Sequence, residues 1–379
     1  MSWPIVELGS VVSFVGGSQP PKSTFKFEPE DGYVRLLQIR DYKSDKNLTF
    51  IPESSTKKFC KKDDVMIGRY GPPVFQILRG LEGAYNVALM KAVPSEKVDK
   101  DYLYYFLKQD KLFRLIDGLS QRTAGQSGID MDALKSYPML LPPLDEQKRI
   151  AAILDKADAI RQKRKQAIEL ADEFLRSVFL DMFGDPVTNP KGWEVKPVGE
   201  LVKCIVPGRD KPKSFTGEMP WITTNDLQHL GTTTNSDKGL GLSDEEISSV
   251  KARIIPKGSV LMTCVGDLGI ISMAGKNLVM NQQLHAFLNS KYFEQEFLMF
   301  ALSFQKQYML KMASSTTVPY MNKTICNSVP VIVPTLQLQQ QFKKIYLNTV
   351  STIEKYQSAR CEKLSLCSSL SQKAFSGQL

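Results

Sequence analysis

The landmarks of the first half of this chain return in the same order about 190 residues later, a repeat period that few folds can satisfy. Each half opens on tryptophan, a short stretch and Glu-Leu: WPIVEL from Trp3 and WEVKPVGEL from Trp193. Each passes through a Lys/Pro/Ser segment, PPKSTF from Pro20 and KPKSF from Lys211. An apolar stretch ending in a polar turn follows, LLQIRDY from Leu36 and WITTNDL from Trp221, so that Asp41 matches Asp226. A lysine-rich approach to a strand then ends at Gly71 in one half and Gly266 in the other. Fifteen residues after each glycine stands an asparagine, Asn86 and Asn281. A helical stretch, a Ser/Thr/Gly-rich loop (SQRTAGQSGIDM or SSTTVPYMNK), and YPMLLPPL or VPVIVPTL close each half before a long charged run.

The repeat predicts the order domain, helix, domain, helix: residues 1–144, 145–184, 185–336 and 337–379. Strand and helix signals alternate within each domain, so the fold class is mixed α/β. A chain of 379 residues with 42% hydrophobic side chains supports two cores. The first long helix is bounded from both sides. Pro142 and Pro143 cannot continue a helix inward, Asp145 to Met182 holds no Pro or Gly, and Gly184 and Pro186 end it. Its seam, Leu154, Ala157, Arg161, Arg164, Ile168, Ala171, Leu175, Val178, Met182, alternates fours and threes, the spacing of a coiled coil. The second, near Gln337 to Ala374, carries a weaker stripe through Phe342, Tyr346, Ile353 and Tyr356. Neither stripe is buried by its own helix, so the two are expected to pack as an antiparallel coiled coil, making a pseudo-dimer within one chain. Arg161 and Arg164 on the seam are partner contacts or solvated edge positions.

Chemistry is sparse. No phosphate-binding G-x-x-x-x-G-K-[ST], H-E-x-x-H or G-x-S-x-G is present. GPPV at Gly71 lacks the asparagine and aromatic of an amino-methyltransferase motif, and FVGG at Phe14 is too slight for a cofactor loop. Six cysteines form no C-x-x-C and only two histidines occur, so a zinc site is unsupported and reduced thiols in a cytoplasmic protein are expected. No secretory leader or membrane span is expected either. The net charge of +9 favours a polyanionic partner weakly, because it is spread: residues 1–144 hold 20 basic and 17 acidic groups, and residues 185–336 hold 15 and 13.

LPPLDEQKRIAAILDKADAIRQKR, followed by FLRSVFLDMFGDP, resembles the central repeat of the specificity subunit of type I restriction–modification systems, and the resemblance covers the whole chain. It implies two target recognition domains, each reading one half of a gapped double-stranded DNA sequence. It also implies a coiled coil that sets the gap and docks two methyltransferase subunits, with restriction subunits joining them. S-adenosylmethionine and ATP with magnesium then belong to those partners, and this chain holds no cofactor or metal and is no enzyme. A fused methyltransferase, or a scaffold without DNA specificity, are the alternatives. The second repeat departs from the first: Thr335 stands for Pro143, and of Asp145-Glu146-Gln147 only Gln147 returns, as Gln339. Both glutamines are expected at partner contacts. Val87 follows Asn86 where Gln282 follows Asn281, as two unlike half-sites require.

DNA contacts are expected from basic groups near turns and from Arg, Asn, Gln and Thr that match base edges. In the first domain these are Lys22, Arg40, Arg69, Tyr70, Arg79, Gln121 and Arg122. In the second they are Arg209, Lys211, Lys213, Thr223, Thr224, Asn225, Thr316, Tyr320, Asn322 and Lys323. Tyr70 and Tyr320 serve equally well as core residues.

Overall fold

The computed structural model describes residues 3–71, 73–120, 128–208, 210–314 and 318–375. Two helices dominate it, Leu144–Phe183 and Leu336–Ala374. The first starts where the two prolines require. The Glu146 and Gln147 N–H groups both donate to the Pro143 carbonyl, and the Pro142 and Pro143 nitrogens have no hydrogen to give. It stops at Gly184, whose φ of 76° is the left-handed conformation that suits glycine at a helix end. Lys191 Nζ and Trp193 Nε1 then donate to the Met182 and Phe183 carbonyls.

The chain forms two compact units that cut across both helices. One is Met1–Arg164 with Ser358–Leu379, the other Lys165–Gln357. In the first unit, strands Val12–Gly16, Leu89–Pro94, Val65–Gly68 and Gln76–Leu78 form an antiparallel sheet in that order. A second sheet runs Phe50–Pro52, Tyr33–Leu37, Gly83–Tyr85, Phe59–Cys60, with the central pair parallel and Leu36 opposite Ala84. Strand Ile5–Glu7 pairs with Pro138–Leu140, tying the start of the domain to the segment that launches the first long helix. Every residue of Val65–Gly68 is buried, which explains its unbroken apolar run.

The second unit repeats this plan with variations. Its larger sheet orders Cys204–Ile205, Leu284–Phe287, Val260–Thr263, Ile271–Ala274 and Thr232–Thr233. Its smaller sheet places Met219–Ile222 between Gly241–Leu242 and Val279–Met280, again with one parallel pair, Trp221 opposite Val279. Val195–Pro197 pairs with Pro330–Ile332 as Ile5–Glu7 pairs with Pro138–Leu140.

Each unit closes its core with both long helices. In the first, Ile150, Ala151 and Leu154 from the start of one helix share a core with Ala374 from the end of the other. Phe375 sets its ring against Tyr102 and Phe106, with centroids 5.3 and 5.6 Å away. In the second, Leu175, Phe179 and Phe183 from the end of the first helix share a core with Phe342 and Tyr346 from the start of the second. Phe179 alone meets Phe297, Phe300, Phe304 and Phe342 at 5.3 to 5.7 Å. The two helices therefore run antiparallel. The seam is closed at Leu154 and Leu175 and open at Arg161, which is exposed and pairs with Asp158 at 2.8 Å; Arg164 is half-buried.

Two expectations are corrected in these helices. Gln147 and Gln339 are fully buried, out of reach of a partner. Gln147 accepts the Asp99 N–H at 2.8 Å and donates to the carbonyls of Lys97 and Pro142 at 2.9 and 2.8 Å. Gln339 repeats the pattern with the Glu294 N–H at 2.9 Å and the carbonyls of Tyr292 and Pro334 at 3.2 and 2.9 Å. A buried amide must find partners within the fold, and these two lock each long helix onto its own domain.

Candidate nucleic-acid interface

Three turns meet at one end of the sheets in the first unit. The first is the 3-10 turn Ile39–Tyr42. Asp41 in it is 4% exposed and accepts the Gln38 N–H at 2.9 Å. Burial pushes its carboxyl above the usual range, and Oδ1 accepts no hydrogen bond. The second is an Asx turn at Asn86, whose Oδ1 accepts the Ala88 N–H at 3.1 Å while its carbonyl accepts the Leu89 N–H at 3.0 Å. The third is Arg69–Gly71, just beyond strand Val65–Gly68, where Gly71 has φ 94°. Backbone hydrogen bonds join the three: Asn86 N–H to the Leu37 carbonyl at 3.1 Å, and Arg69 N–H to the Ala88 carbonyl at 2.8 Å. Gly17 is pressed against them, since a Cβ there would lie 2.0 Å from the Asn86 carbonyl oxygen.

The second unit builds the same junction. Asp226, 5% exposed, accepts the Thr223 N–H and hydroxyl, both at 2.7 Å, and the Asp237 N–H at 2.7 Å. Burial pushes this carboxyl up as well, but those bonds outweigh it and hold the group below its ordinary value. The Asx turn recurs, with Asn281 Oδ1 accepting the Gln283 N–H at 3.1 Å. The joints recur too: Asn281 N–H to the Ile222 carbonyl at 2.9 Å, and Cys264 N–H to the Gln283 carbonyl at 2.9 Å. Here Pro319 and Tyr320, ahead of Lys323, fold in as an addition. Tyr320 bridges Val265 on one side and Ser314 on the other, and the Gly266 N–H donates to the Pro319 carbonyl.

This junction collects part of the sequence-derived set. Arg40, Arg69 and Tyr70 lie on its turns in the first unit, and the Arg69 guanidinium sits 5.3 Å from the Tyr70 ring centre. Thr223, Thr224, Asn225 and Tyr320 lie on it in the second. Tyr70 and Tyr320 are 41% and 43% exposed, so both are surface residues. Lys22 is exposed in the turn Lys22–Thr24, reached through Ser18, whose N–H donates to the Tyr85 carbonyl next to the Asx turn. Asn322 is exposed, and its side-chain oxygen accepts the Ile325 N–H and caps the helix Lys323–Asn327. Lys323 is exposed on the first position of that helix, and Lys211 and Lys213 are exposed between two strands of the second unit. Gln121, Arg122, Arg209 and Thr316 lie outside the described residues.

Arg79 is a correction. Its guanidinium donates to Asp101 at 2.8 Å and to Asp155 of the long helix at 2.9 Å, and stacks 3.9 Å from the Tyr104 ring centre. Tyr105 donates its hydroxyl to the same Asp155 at 2.6 Å. With both carboxylates taken, Arg79 is a clamp between domain and helix and does not reach for phosphate. Val87 and Gln282, which the sequence marks as a difference between the two halves without placing them among the DNA contacts, are the middle residues of the two Asx turns.

Comparison with known proteins follows the same division into halves. The family described as the type I restriction modification DNA specificity domain matches residues 2–170 and again residues 190–362. The MjaVIII type I restriction enzyme specificity subunit of Methanocaldococcus jannaschii is 23% identical over 202 residues, 52% of this chain and 46% of that protein. The HindI specificity subunit of Haemophilus influenzae is 26% identical over 172 residues, 44% of this chain and 36% of that one. The matched stretches thus span less than half of these curated relatives. In fold, the chain is similar to the S subunit of a type I restriction-modification system from M. genitalium, with TM-score 0.63 at 16% identity, covering 99% of this chain and 96% of that one. A chain from a study of type I restriction-modification complex assembly and conformational transition gives TM-score 0.52 at 16% identity, covering 100% and 98%.

Proposed function

This chain belongs to the type I restriction–modification DNA specificity domain family, and from that premise we propose that it is the sequence-reading part of a larger assembly and carries no catalytic centre of its own. Each recognition domain reads one half of a bipartite, gapped target in double-stranded DNA. The paired long helices set the gap and dock two methyltransferase subunits, onto which restriction subunits assemble in the cytoplasm. S-adenosylmethionine, and ATP with magnesium, are handled by those partners.

One observation carries this reading. The same three-turn junction is built twice, on identical backbone joints, and presents different side chains each time. A duplicated scaffold with unlike faces suits two unlike half-sites. Docking is supported by an apolar groove of about 490 Å3 between the long helices in the second unit, lined by Ile168, Leu170, Ala171, Phe174, Thr349 and Ile353 among others. Leu170 and Phe174 there are 64% and 50% exposed, more apolar surface than a solvated helix pair needs. Arg161 and Arg164 continue along the same helix as partner contacts.

The test assembles the chain with its methyltransferase subunits and maps methylated bases on random DNA. A two-part motif with a fixed gap is expected. Exchange of residues 190–334 for the equivalent domain of a relative should change one part and spare the other. Methylation with no two-part motif, or with both parts changed by the single exchange, overturns the proposal.

A further inference from the structure

Each junction carries one exposed tyrosine, but the two rings come from different strands of the chain. Two landmarks fix which residues match. The first is the left-handed glycine beyond the buried strand, Gly71 (φ 94°) and Gly266 (φ 78°). The residues before it, Tyr70 and Val265, are therefore equivalent. Arg69 and Cys264, one place earlier, keep the same register, donating their N–H groups to the Ala88 and Gln283 carbonyls at 2.8 and 2.9 Å. The second landmark is a short capped helix, Met131–Lys135 behind Asp130 and Lys323–Asn327 behind Asn322. These helices sit alike: a Cβ on Gly9 would lie 2.8 Å from Lys135 Cβ, and one on Gly199 would lie 2.5 Å from Asn327 Cβ. The residues two before the caps, Gly128 and Tyr320, are therefore equivalent as well. The two equivalent positions also meet. Tyr320 forms a backbone bridge with Val265 in the second unit, and a Cβ on Gly128 would lie 3.7 Å from Tyr70 Cε1 in the first. The meeting pair is thus Tyr70 with Gly128 in one unit and Val265 with Tyr320 in the other. Either arrangement supplies one ring, 41% or 43% exposed, at the same place.

We propose that Tyr70 and Tyr320 are one anchoring residue supplied from two sides: each lays its ring against the DNA of its own half-site and reads no sequence there. The argument runs from what the junctions share to what their targets share. The side chains around the rings differ, with Arg40 and Arg69 in one unit and Thr223, Thr224 and Asn225 in the other. The ring is common to both, and what two unlike half-sites have in common is the nucleic acid itself. An aromatic ring suits that task, because every base offers a π-face and stacking tolerates any of them. Contacts that fix the protein on the duplex likewise carry no sequence information. Base choice is left to the unlike neighbours. This rests on the sequence-reading function proposed above.

In the complex assembled with methyltransferase subunits, Tyr70→Val and Tyr320→Ala should each weaken binding to target DNA by about tenfold, as expected for one lost stacking contact. The methylated motif should stay the same at every position. Tyr70→Phe and Tyr320→Phe keep the ring and should keep most of the affinity. Two double variants move the ring instead of removing it. Adding Gly128→Tyr to Tyr70→Val copies the second unit's pair into the first, and adding Val265→Tyr to Tyr320→Ala does the reverse. Each should regain most of what its single variant lost. Equilibrium binding at one fixed salt concentration and methylation mapping on randomised DNA read every variant, and thermal unfolding checks that each folds. Wild-type affinity in the single variants, a loss as large in the phenylalanine variants, or a changed base preference at one position overturns the proposal. So does a folded double variant that binds no better than its single. Where a double variant does not fold, the single variants decide. If the wild-type complex shows no two-part motif, the underlying reading fails first and this inference with it.

Discussion

Gln147 was legible as a repeated residue, but its role was not. Glutamine in the first turn of a charged helix looks solvated, and the groups it serves, Lys97 and Asp99, lie 50 and 48 residues back. Arg79 was misread for the same reason, since its Asp101 and Asp155 partners are 22 and 76 residues away. Gln147→Leu keeps the volume and leaves the Asp99 N–H and two carbonyls buried without this partner. At about 1–3 kcal/mol for a stranded buried group, the variant should lose about 3 kcal/mol in urea unfolding, and Gln339→Leu the same in the other unit. A loss below about 1 kcal/mol would show that water replaces the amide. His285 gives a pH dependence. It is 2% exposed, lies 3.0 Å from the Cys326 sulfur through Nδ1, and is pushed down to about 4 by burial and then by Lys323. The unfolded chain, with its histidine near 6.5, takes the proton first as the pH falls. Stability from this group is therefore full above about pH 6.5 and is lost between there and about pH 4. Going from pH 7 to pH 5 should cost the second unit about 2 kcal/mol, and His285→Gln should flatten that slope. An identical slope in the variant would assign the effect elsewhere.

At the scale of elements, the long helices were the easiest part to read. Pro142, Pro143 and Gly184 act locally, through a missing N–H and a permissive φ, so their effect is visible without tertiary contacts. Their division between two units was not visible. Nothing near Phe375 signals that it meets Tyr102 and Phe106, because packing partners are chosen by the fold rather than by neighbours in sequence. The same contacts fix where a spacer can be lengthened. Ile168 and Ala171 line the groove together with Thr349 and Ile353, and Arg164 and Gln357 are the last residues before each boundary between units. Adding one heptad after each keeps the seam in phase and lengthens the pair by about 10 Å at about 1.5 Å per residue. With about 3.4 Å per base pair, the preferred gap should grow by about three base pairs. The second half-site would also rotate by roughly 100°, at about 10.5 base pairs per turn, so affinity should fall as the preference shifts. Methylation of targets with varied gaps measures this, and an unchanged optimum in a folded insertion variant would end the ruler idea.

Across the whole molecule the repeat was legible because its landmarks mark backbone needs, a capped aspartate, a left-handed glycine and an Asx-turn asparagine, and those needs recur in the same order. The joints between them were not, since the bonds from Asn86 to Leu37 and from Asn281 to Ile222 connect residues far apart in sequence. The structure also brings the end of the second long helix back to strand Ile5–Glu7. Phe375 packs on Tyr102, Tyr102 donates its hydroxyl to the Leu140 carbonyl, and Leu140 pairs with Ile5. A circularly permuted chain, joined from Leu379 to Ser2 and opened beside the 60% exposed Val187, should therefore keep its fold and both half-sites. A permuted protein that folds but reads one half-site alone would show that the joined ends strain the first domain. The aromatic socket around Phe179 has a bearing on heredity. Phe297 and Phe300 belong to the second domain, whereas Phe179, Phe183 and Phe342, which fill the socket, lie in the helices outside residues 190–334. A gene fragment for the second domain alone thus encodes a lock whose keys stay in the recipient gene. Under the proposed function, a fragment exchanged by recombination keeps its core only in a recipient that has kept those phenylalanines.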